Sequence, residues 1–269
     1  MAIKKFIRWA GGKQGIVKTL IEHLPADHEK LRLIEPFAGA ASLFLNTNFR
    51  SAVLIDMNPH LIGAYKNIQT NFEDVYAELE KLKKKHSKEF YYEVREIFNQ
   101  DPHDTITQSA RFIYLVQSSY NGVYRVNTKG KYNVPFGKLN AYYPTLESLE
   151  FIHNKLQKAE LYHTDFSMVF DIATRNDFVY FDPPYMPVSD TSNFQHYTDT
   201  RFPSEEQDKV ADFAAELSLR GIDVMVSSSQ TDYILELYKD WSIIPVGVIR
   251  YVSCKAVRET TSEIIIRNY

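Results

Sequence analysis

The chain has 269 residues, 44% hydrophobic and 24% charged, a balance that excludes disordered and fibrous classes and suits one large domain or a domain with an insertion. Its 31 basic and 34 acidic side chains leave a formal charge of −3, so a nucleic-acid partner would have to be met by positive charge gathered on one surface. A single cysteine, Cys254, excludes an internal disulfide and a cysteine-based metal cluster, and no apolar run reaches membrane-spanning length.

The amino terminus, Met1 to Phe6, has no apolar core of a secretory signal, so an intracellular soluble protein is expected. Arg8-Trp9-Ala10-Gly11-Gly12-Lys13 then precedes a predicted helix. Two glycines and a lysine there could cradle an anion, but Gln14 stands where a nucleotide-triphosphate loop needs Ser or Thr. Leu31–Glu35 and Ala52–Asp56 read as buried strands. The first runs into Glu35-Pro36-Phe37-Ala38-Gly39-Ala40, where Gly39 permits a tight turn into a helix and close approach of a ligand. The glycine pattern lacks the spacing of a pyrophosphate cradle, which points to a cofactor without phosphates. Asp56, ending the second strand, suits ribose hydroxyls.

From about Asn58 to His103 the spacing is helical, with Val75, Leu79 and Leu82, then Phe90, Val94 and Ile97, as the apolar face. Lys81-Leu82-Lys83-Lys84-Lys85 reads as a solvated helix face. Thr105 to Leu146 contains no acidic residue. It carries Arg111, Arg125, Lys129, Lys131 and Lys138 among Phe112, Tyr114, Tyr120, Tyr124, Tyr132, Phe136, Tyr142 and Tyr143. That composition suits either a nucleic-acid face or a tyrosine-rich edge of the core. Asn127-Thr128-Lys129-Gly130-Lys131 reads as a hairpin turn between two short strands.

The strand–helix alternation then resumes, with Asp177–Phe181 and Ile222–Val226 as strands, Ser227-Ser228-Ser229 as a loop and helix cap, and Ile243–Val248 with Glu263–Arg267 as a closing antiparallel pair. The expected fold is α/β, a doubly wound parallel core over residues 1–57 and 145–269, interrupted by a mostly helical insertion at 58–144. Directly after the third of these strands stands Asp182-Pro183-Pro184-Tyr185. Ligands in open α/β sheets sit at the carboxyl ends of strands. Two prolines remove two N–H donors, leaving the Asp182 carboxylate and the Pro183 carbonyl as acceptors beside an aromatic face. A planar base carrying an amino group is complementary to that set; a strand ending in a rigid turn is the plain structural alternative.

Together these residues resemble the Dam-type, D12-class DNA adenine-N6 methyltransferases. Trp9 to Lys13, Pro36 to Gly39, an insertion and Asp182 to Tyr185 follow the family's order, and Tyr120–Asn127 with Tyr132–Gly137 look like its recognition hairpin. The resemblance implies a Rossmann-like methyltransferase whose insertion is a DNA-recognition domain bearing a β-hairpin, and a cofactor, S-adenosylmethionine, with no metal. It implies that Trp9, Ala10, Lys13, Phe37, Gly39, Asp56, Met57, Asp165, Phe166 and Asp182 surround the cofactor. Asp182, Pro183, Pro184 and Tyr185 would be catalytic, holding an adenine flipped from double-stranded DNA. Arg8, Tyr120, Asn121, Val123, Arg125, Lys138 and Leu139 would contact DNA, with Arg125 reading a guanine. Members acting on GATC commonly have Arg-Tyr after Pro-Phe-Gly, where this chain has Lys138-Leu139. A site containing GA is therefore expected, GATC being the leading candidate. The family further implies a cytoplasmic, nucleoid-associated monomer of prokaryotic or phage type, acting alone or protecting DNA from a cognate restriction endonuclease. Competing readings are a cytosine-N4, RNA or protein-glutamine methyltransferase, in which Ser or Asn commonly replaces Asp182, a non-catalytic DNA-binding module, and a dinucleotide oxidoreductase.

Overall fold

A computed structural model describes residues 6–101, 105–137, 141–185, 204–249 and 260–269. Cys254 lies outside them. In chain order the elements are α1 (Val17–Glu22), β1 (Arg32–Glu35), α2 (Ser42–Asn46), β2 (Ser51–Asp56), α3 (Pro59–Lys84), α4 (Lys88–Gln100) and α5 (Ile106–Ser118). They continue as α6 (Leu146–Leu156), β3 (Ala159–His163), α7 (Met168–Ile172), β4 (Asp177–Phe181), α8 (Ser204–Leu219), β5 (Asp223–Ser229), α9 (Asp232–Leu237), β6 (Ser242–Ile249) and β7 (Thr260–Arg267).

Among the described residues one seven-stranded sheet has the order β3-β2-β1-β4-β5-β7-β6. The first five of these strands are parallel, and β7 runs antiparallel to both β5 and β6. This is the expected Rossmann-like arrangement. Alternation along the strands builds two cores, because successive side chains leave opposite faces. Leu33, Leu54, Phe178, Tyr180, Met225 and Ile265 join one core with α1 to α6. Ile34, Val53, Val179, Phe181, Val224 and Ile266 join the other with α7, α8 and α9. Arg32 ties β1 to β4 by two parallel bonds to the buried Asp177, of 2.8 and 2.9 Å. Such forked pairing fixes orientation as well as adding energy. It lies at the amino ends of the two strands, so their carboxyl ends emerge side by side at the switch point of the sheet.

The helices between β2 and α6 begin with Asn58 capping α3, its side chain accepting from the His60 and Leu61 N–H groups, with Pro59 in the first turn. α3 is interrupted at Asn71, whose backbone is non-helical (φ −144°, ψ 47°). Ser87 and Thr105 cap α4 and α5 through their hydroxyls. On α4 the buried face is Tyr91, Val94 and Phe98. The expected Ile97 is instead exposed, because the helix turns its neighbour Phe98 onto Tyr132. Lys81 and Lys83 pair with Glu78 and Glu80 one turn back, as a solvated face does.

The expected hairpin strands reduce to isolated bridges, Val126 to Tyr132 and Ser119 to Phe136. Its tip closes through Asn127 N–H to Lys131 O at 2.8 Å and Gly130 N–H to Asn127 O at 2.8 Å. Ser227, Ser228 and Ser229 are not a loop: they continue β5, buried against β7, and Thr231 caps α9. β3 is an edge strand that periodicity did not reveal. Two of its five side chains, Glu160 and His163, are exposed, which erases the apolar run.

Candidate active site

β1 and β4 are parallel neighbours, so the turn after Glu35 and the loop after Phe181 come together. Over them lies the amino-terminal segment. Gly12 N–H bonds Trp9 O at 3.1 Å across a turn in which Gly11 has a φ of +75°, a conformation open to glycine at no steric cost. The turn points Lys13 inward. With 4% of its side chain exposed, its ammonium donates to Gly11 O at 2.6 Å and pairs with Asp182 Oδ1 at 2.7 Å. It also stands 4.4 Å from the centre of the Tyr185 ring. Lys13 thus lies beside a carboxylate, so any anion it receives shares it with Asp182.

The loop itself is fixed from several sides. Gln207 of α8 donates to Pro184 O at 2.8 Å. The Tyr185 hydroxyl reaches Glu263 Oε2 on β7 at 3.5 Å, a long contact for a hydroxyl donor. Pro183 is buried and Pro184 exposed. The Pro183 carbonyl accepts no hydrogen bond among the described residues. Beneath the loop, Tyr180 and Ser227 share a hydroxyl–hydroxyl bond of 2.5 Å. Burial pushes the Tyr180 phenol well above its ordinary pKa, helped by the Asp182 charge.

Glu35, 2% exposed, accepts from Phe44 N–H at 3.0 Å in the first turn of α2. Burial pushes its carboxyl up to about 8, against that hydrogen bond and reinforced by Asp182. A group at that value holds its proton near neutrality.

Of the other residues expected around a cofactor, Asp56 and Gly39 meet directly. Asp56 accepts from Gly39 N–H at 2.9 Å and Asn58 N–H at 2.8 Å. Each carboxylate oxygen keeps one further lone pair. Burial raises the Asp56 pKa and the two backbone bonds oppose it. Gly39 has φ +47° and its carbonyl is held by the buried Tyr65 hydroxyl at 2.8 Å. An added Cβ there would stand 2.9 Å from Trp9 Cδ1. Phe37 and Phe166 stack with ring centres 4.9 Å apart. Met57 is exposed, Asp165 turns its carboxylate to Ser167 N–H at 2.9 Å, and Ala10 is half-buried near Trp9.

The DNA candidates lie on the other side of Trp9, which stacks on Tyr124. Tyr120, Asn121 and Gly122 form a short 3-10 turn. Tyr120 is 60% exposed and Asn121 sits in the left-handed region at φ +57°. The stem of Arg8 packs on Gly122, where a Cβ would come within 2.5 Å of it. Arg125 gives its Nε–H to Asn133 Oδ1 at 2.8 Å, which leaves the two terminal nitrogens of the guanidinium directed elsewhere. Val123 is half-buried behind it, and its carbonyl accepts from Ser119 Oγ at 3.2 Å. Lys138 and Leu139 lie outside the described residues.

The acid-free segment divides. Phe112, Tyr114, Tyr124 and Tyr132 are core, and Arg111 pairs with Asp101 at 3.3 Å, so these belong to the structural alternative. Tyr120, Tyr142, Lys129 and Lys131 remain on the surface. Sequence reasoning missed Glu35, Gln207 and Glu263 as neighbours of the loop. Glu35 alone carried a signal, being an acid at the end of an apolar strand.

The description "D12 class N6 adenine-specific DNA methyltransferase" matches residues 9–252. The chain is 33% identical over 289 aligned positions to the Type II methyltransferase M.MjaIII of Methanocaldococcus jannaschii, covering 100% of both chains. It is 36% identical over 253 positions to the DNA adenine methylase of Vibrio cholerae serotype O1, covering 93% of this chain and 90% of that one. To the DNA adenine methylase of Escherichia coli K12 it is 35% identical, covering 93% and 89%.

Proposed function

The chain belongs to the D12 class of N6 adenine-specific DNA methyltransferases, and we propose that it transfers the methyl group of S-adenosylmethionine to an adenine flipped out of double-stranded DNA at a short site containing GA. The observation that carries this reading is the Lys13–Asp182 pair at 2.7 Å beside the open Pro183 carbonyl and the Tyr185 ring.

The residues present fit the cofactor. Asp56 suits a ribose diol, and the Phe37–Phe166 pair with exposed Met57 suits an adenine ring. Lys13 and Asp182 are opposite charges able to meet the carboxylate and ammonium of an amino-acid zwitterion. When bound, S-adenosylmethionine supplies an electrophilic methyl on a sulfonium. Trp9, Ala10, Gly39 and Asp165 complete that side.

The protein's own contribution is positioning and polarisation. Asp182 Oδ and the Pro183 carbonyl accept the two N–H groups of the target amine, which turns its lone pair out of the ring. Tyr185 stacks on the base, and Pro184, anchored by Gln207, keeps the loop rigid. Lys13 keeps a positive charge beside Asp182, and the carboxylate oxygen that accepts an amine proton can receive it after transfer.

We assign residues 58–144 the reading of DNA: Arg125 to a guanine, with Arg8, Tyr120, Asn121, Val123, Lys138 and Leu139 around the target. The enzyme is proposed to act as a monomer, alone or beside a cognate endonuclease, in a prokaryotic or phage cytoplasm. GATC is the leading form of the site.

The test is Asp182→Ala, with methyl transfer and duplex binding measured separately. Transfer falls by at least about 10²-fold, the scale for removing one preorganised polar contact, while the duplex still binds. Retained transfer, or loss of both with loss of folding, would defeat the assignment.

A further inference from the structure

A cavity of about 340 Å³ opens between the amino-terminal segment and the Tyr120–Gly122 turn, lined by Arg8, Trp9, Gly12, Gln14, Tyr120, Asn121 and Gly137. We infer that it receives one unstacked nucleobase and that Gln14 reads the hydrogen-bonding edge of that base; the inference rests on the DNA-modifying reading above and adds a specificity residue to it.

The cavity is built rather than incidental. At Gly137 a Cβ would stand 2.3 Å from Ser119 O, and at Gly122 one would stand 2.5 Å from the Arg8 side chain, so both walls need glycine. Asn121 sits at φ +57°, in the left-handed region that asparagine adopts more readily than other side-chain-bearing residues, and so holds the turn that shapes one wall. Tyr120 is held 60% exposed by the same turn. A large aromatic kept in water beside a polar cavity is a stacking platform.

The polar groups point the same way. Arg8, Gln14 and Asn121 make no side-chain hydrogen bond or ion pair among the described residues. Lys13 and Gln14 are adjacent, yet Lys13 is turned into the Asp182 pair while Gln14 is left at the cavity. A carboxamide offers a donor and an acceptor side by side, the pattern that matches a base edge. A neutral amide and two aromatic rings, Trp9 and Tyr120, share the wall with a single arginine, a lining that offers a flat apolar face and a polar edge as a base does. The volume lies near the lower end for ligand sites, enough for one heteroaromatic base.

The base can be the target adenine itself or a neighbour unstacked when the target leaves the helix. Both present the same edge chemistry, and position-by-position substitution separates them. With the site first mapped using the unaltered enzyme, kcat/KM is measured for it, Gln14→Ala and Gln14→Leu on the cognate duplex and on duplexes carrying one replaced base each. Cofactor affinity is measured in parallel. Both variants should bind cofactor as before, lose about tenfold or more on the cognate duplex, and lose discrimination at one position. If that position is the target, Gln14 reads the adenine; if it is another, Gln14 reads the neighbour. Unchanged kinetics, or a uniform loss with discrimination intact at every position, overturns the inference. Absence of methylation by the unaltered enzyme would instead defeat the function proposed above.

Discussion

Lys13 places its charge on Asp182, 2.7 Å away, while the neighbouring acid Glu35 is buried. Burial in the first place, and the Asp182 charge in addition, keep the proton on Glu35. Glu35 is raised to about 8 from 4.5. Between those values the fold binds a proton that the unfolded chain has released, so stability falls as pH rises across that window. Glu35→Gln keeps an oxygen for Phe44 N–H and removes the titration. Denaturant midpoints of the variant should therefore vary less between pH 5 and 8 than those of the parent, and exceed them at pH 8. Parallel pH profiles would show that Glu35 is already ionised in the fold. Arg125 carries a second prediction at this scale. Asn133 fixes its Nε, so the terminal nitrogens form a preset fork. Arg125→Ala should relax preference at one guanine position by about 1–3 kcal/mol, read from relative kcat/KM on single-base variants of the site. An equal loss on every duplex would mark a phosphate contact.

Short tight elements, rather than the long helices, bring the two halves of the site into contact. The turn at Trp9–Gly12 directs Lys13 inward, and the turn at Tyr120–Gly122 is tied to the hairpin exit by Tyr120 N–H to Pro135 O at 2.9 Å and Gly137 N–H to Ser118 O at 2.8 Å. Gly137→Ala would force a methyl against the Ser119 backbone, at a cost of about 1–3 kcal/mol. Its thermal midpoint should fall by several degrees, and its KM for duplex should rise while cofactor affinity holds. An unshifted midpoint would mean that the two segments are not packed as described. Among the strands that sequence made legible, β1, β2, β4 and β5 are continuous apolar runs because helices cover them on either side, and the closing antiparallel pair, β6 and β7, was legible from its isoleucine and valine runs. β3 was illegible for the opposite reason, since Glu160 and His163 face solvent from an edge strand. The three serines of β5 misled because serine favours turns in isolation. In the fold Ser227 is satisfied by Tyr180 and the strand is completed by β7 from the far end of the chain.

Across the molecule the site joins five stretches of sequence: the Lys13 turn, the Glu35–Gly39 turn, Asp56, the Asp182–Tyr185 loop and Glu263 on the last strand. The motifs among them were legible because each needs special chemistry at fixed spacing, a proline pair or a positive-φ glycine. Glu263 and Gln207 were not, since a lone Glu in a strand or Gln in a helix acquires meaning only when topology brings it to the loop. Charge shows the same limit. A total of −3 says little, whereas the fold leaves Lys129 and Lys131 exposed at the hairpin tip and Arg8 exposed at the cavity. We propose that the Asp182 loop presents one adenine amine of a defined site to the methyl donor. The most direct measurement is base-resolved mapping of unmethylated duplex DNA after incubation with S-adenosylmethionine and either the parent protein or Asp182→Ala. N6-methyladenine confined to one short GA-containing motif, and absent with the variant, is the result expected; methyl groups on cytosine, or an unmodified duplex from a parent protein that binds the cofactor, would contradict it.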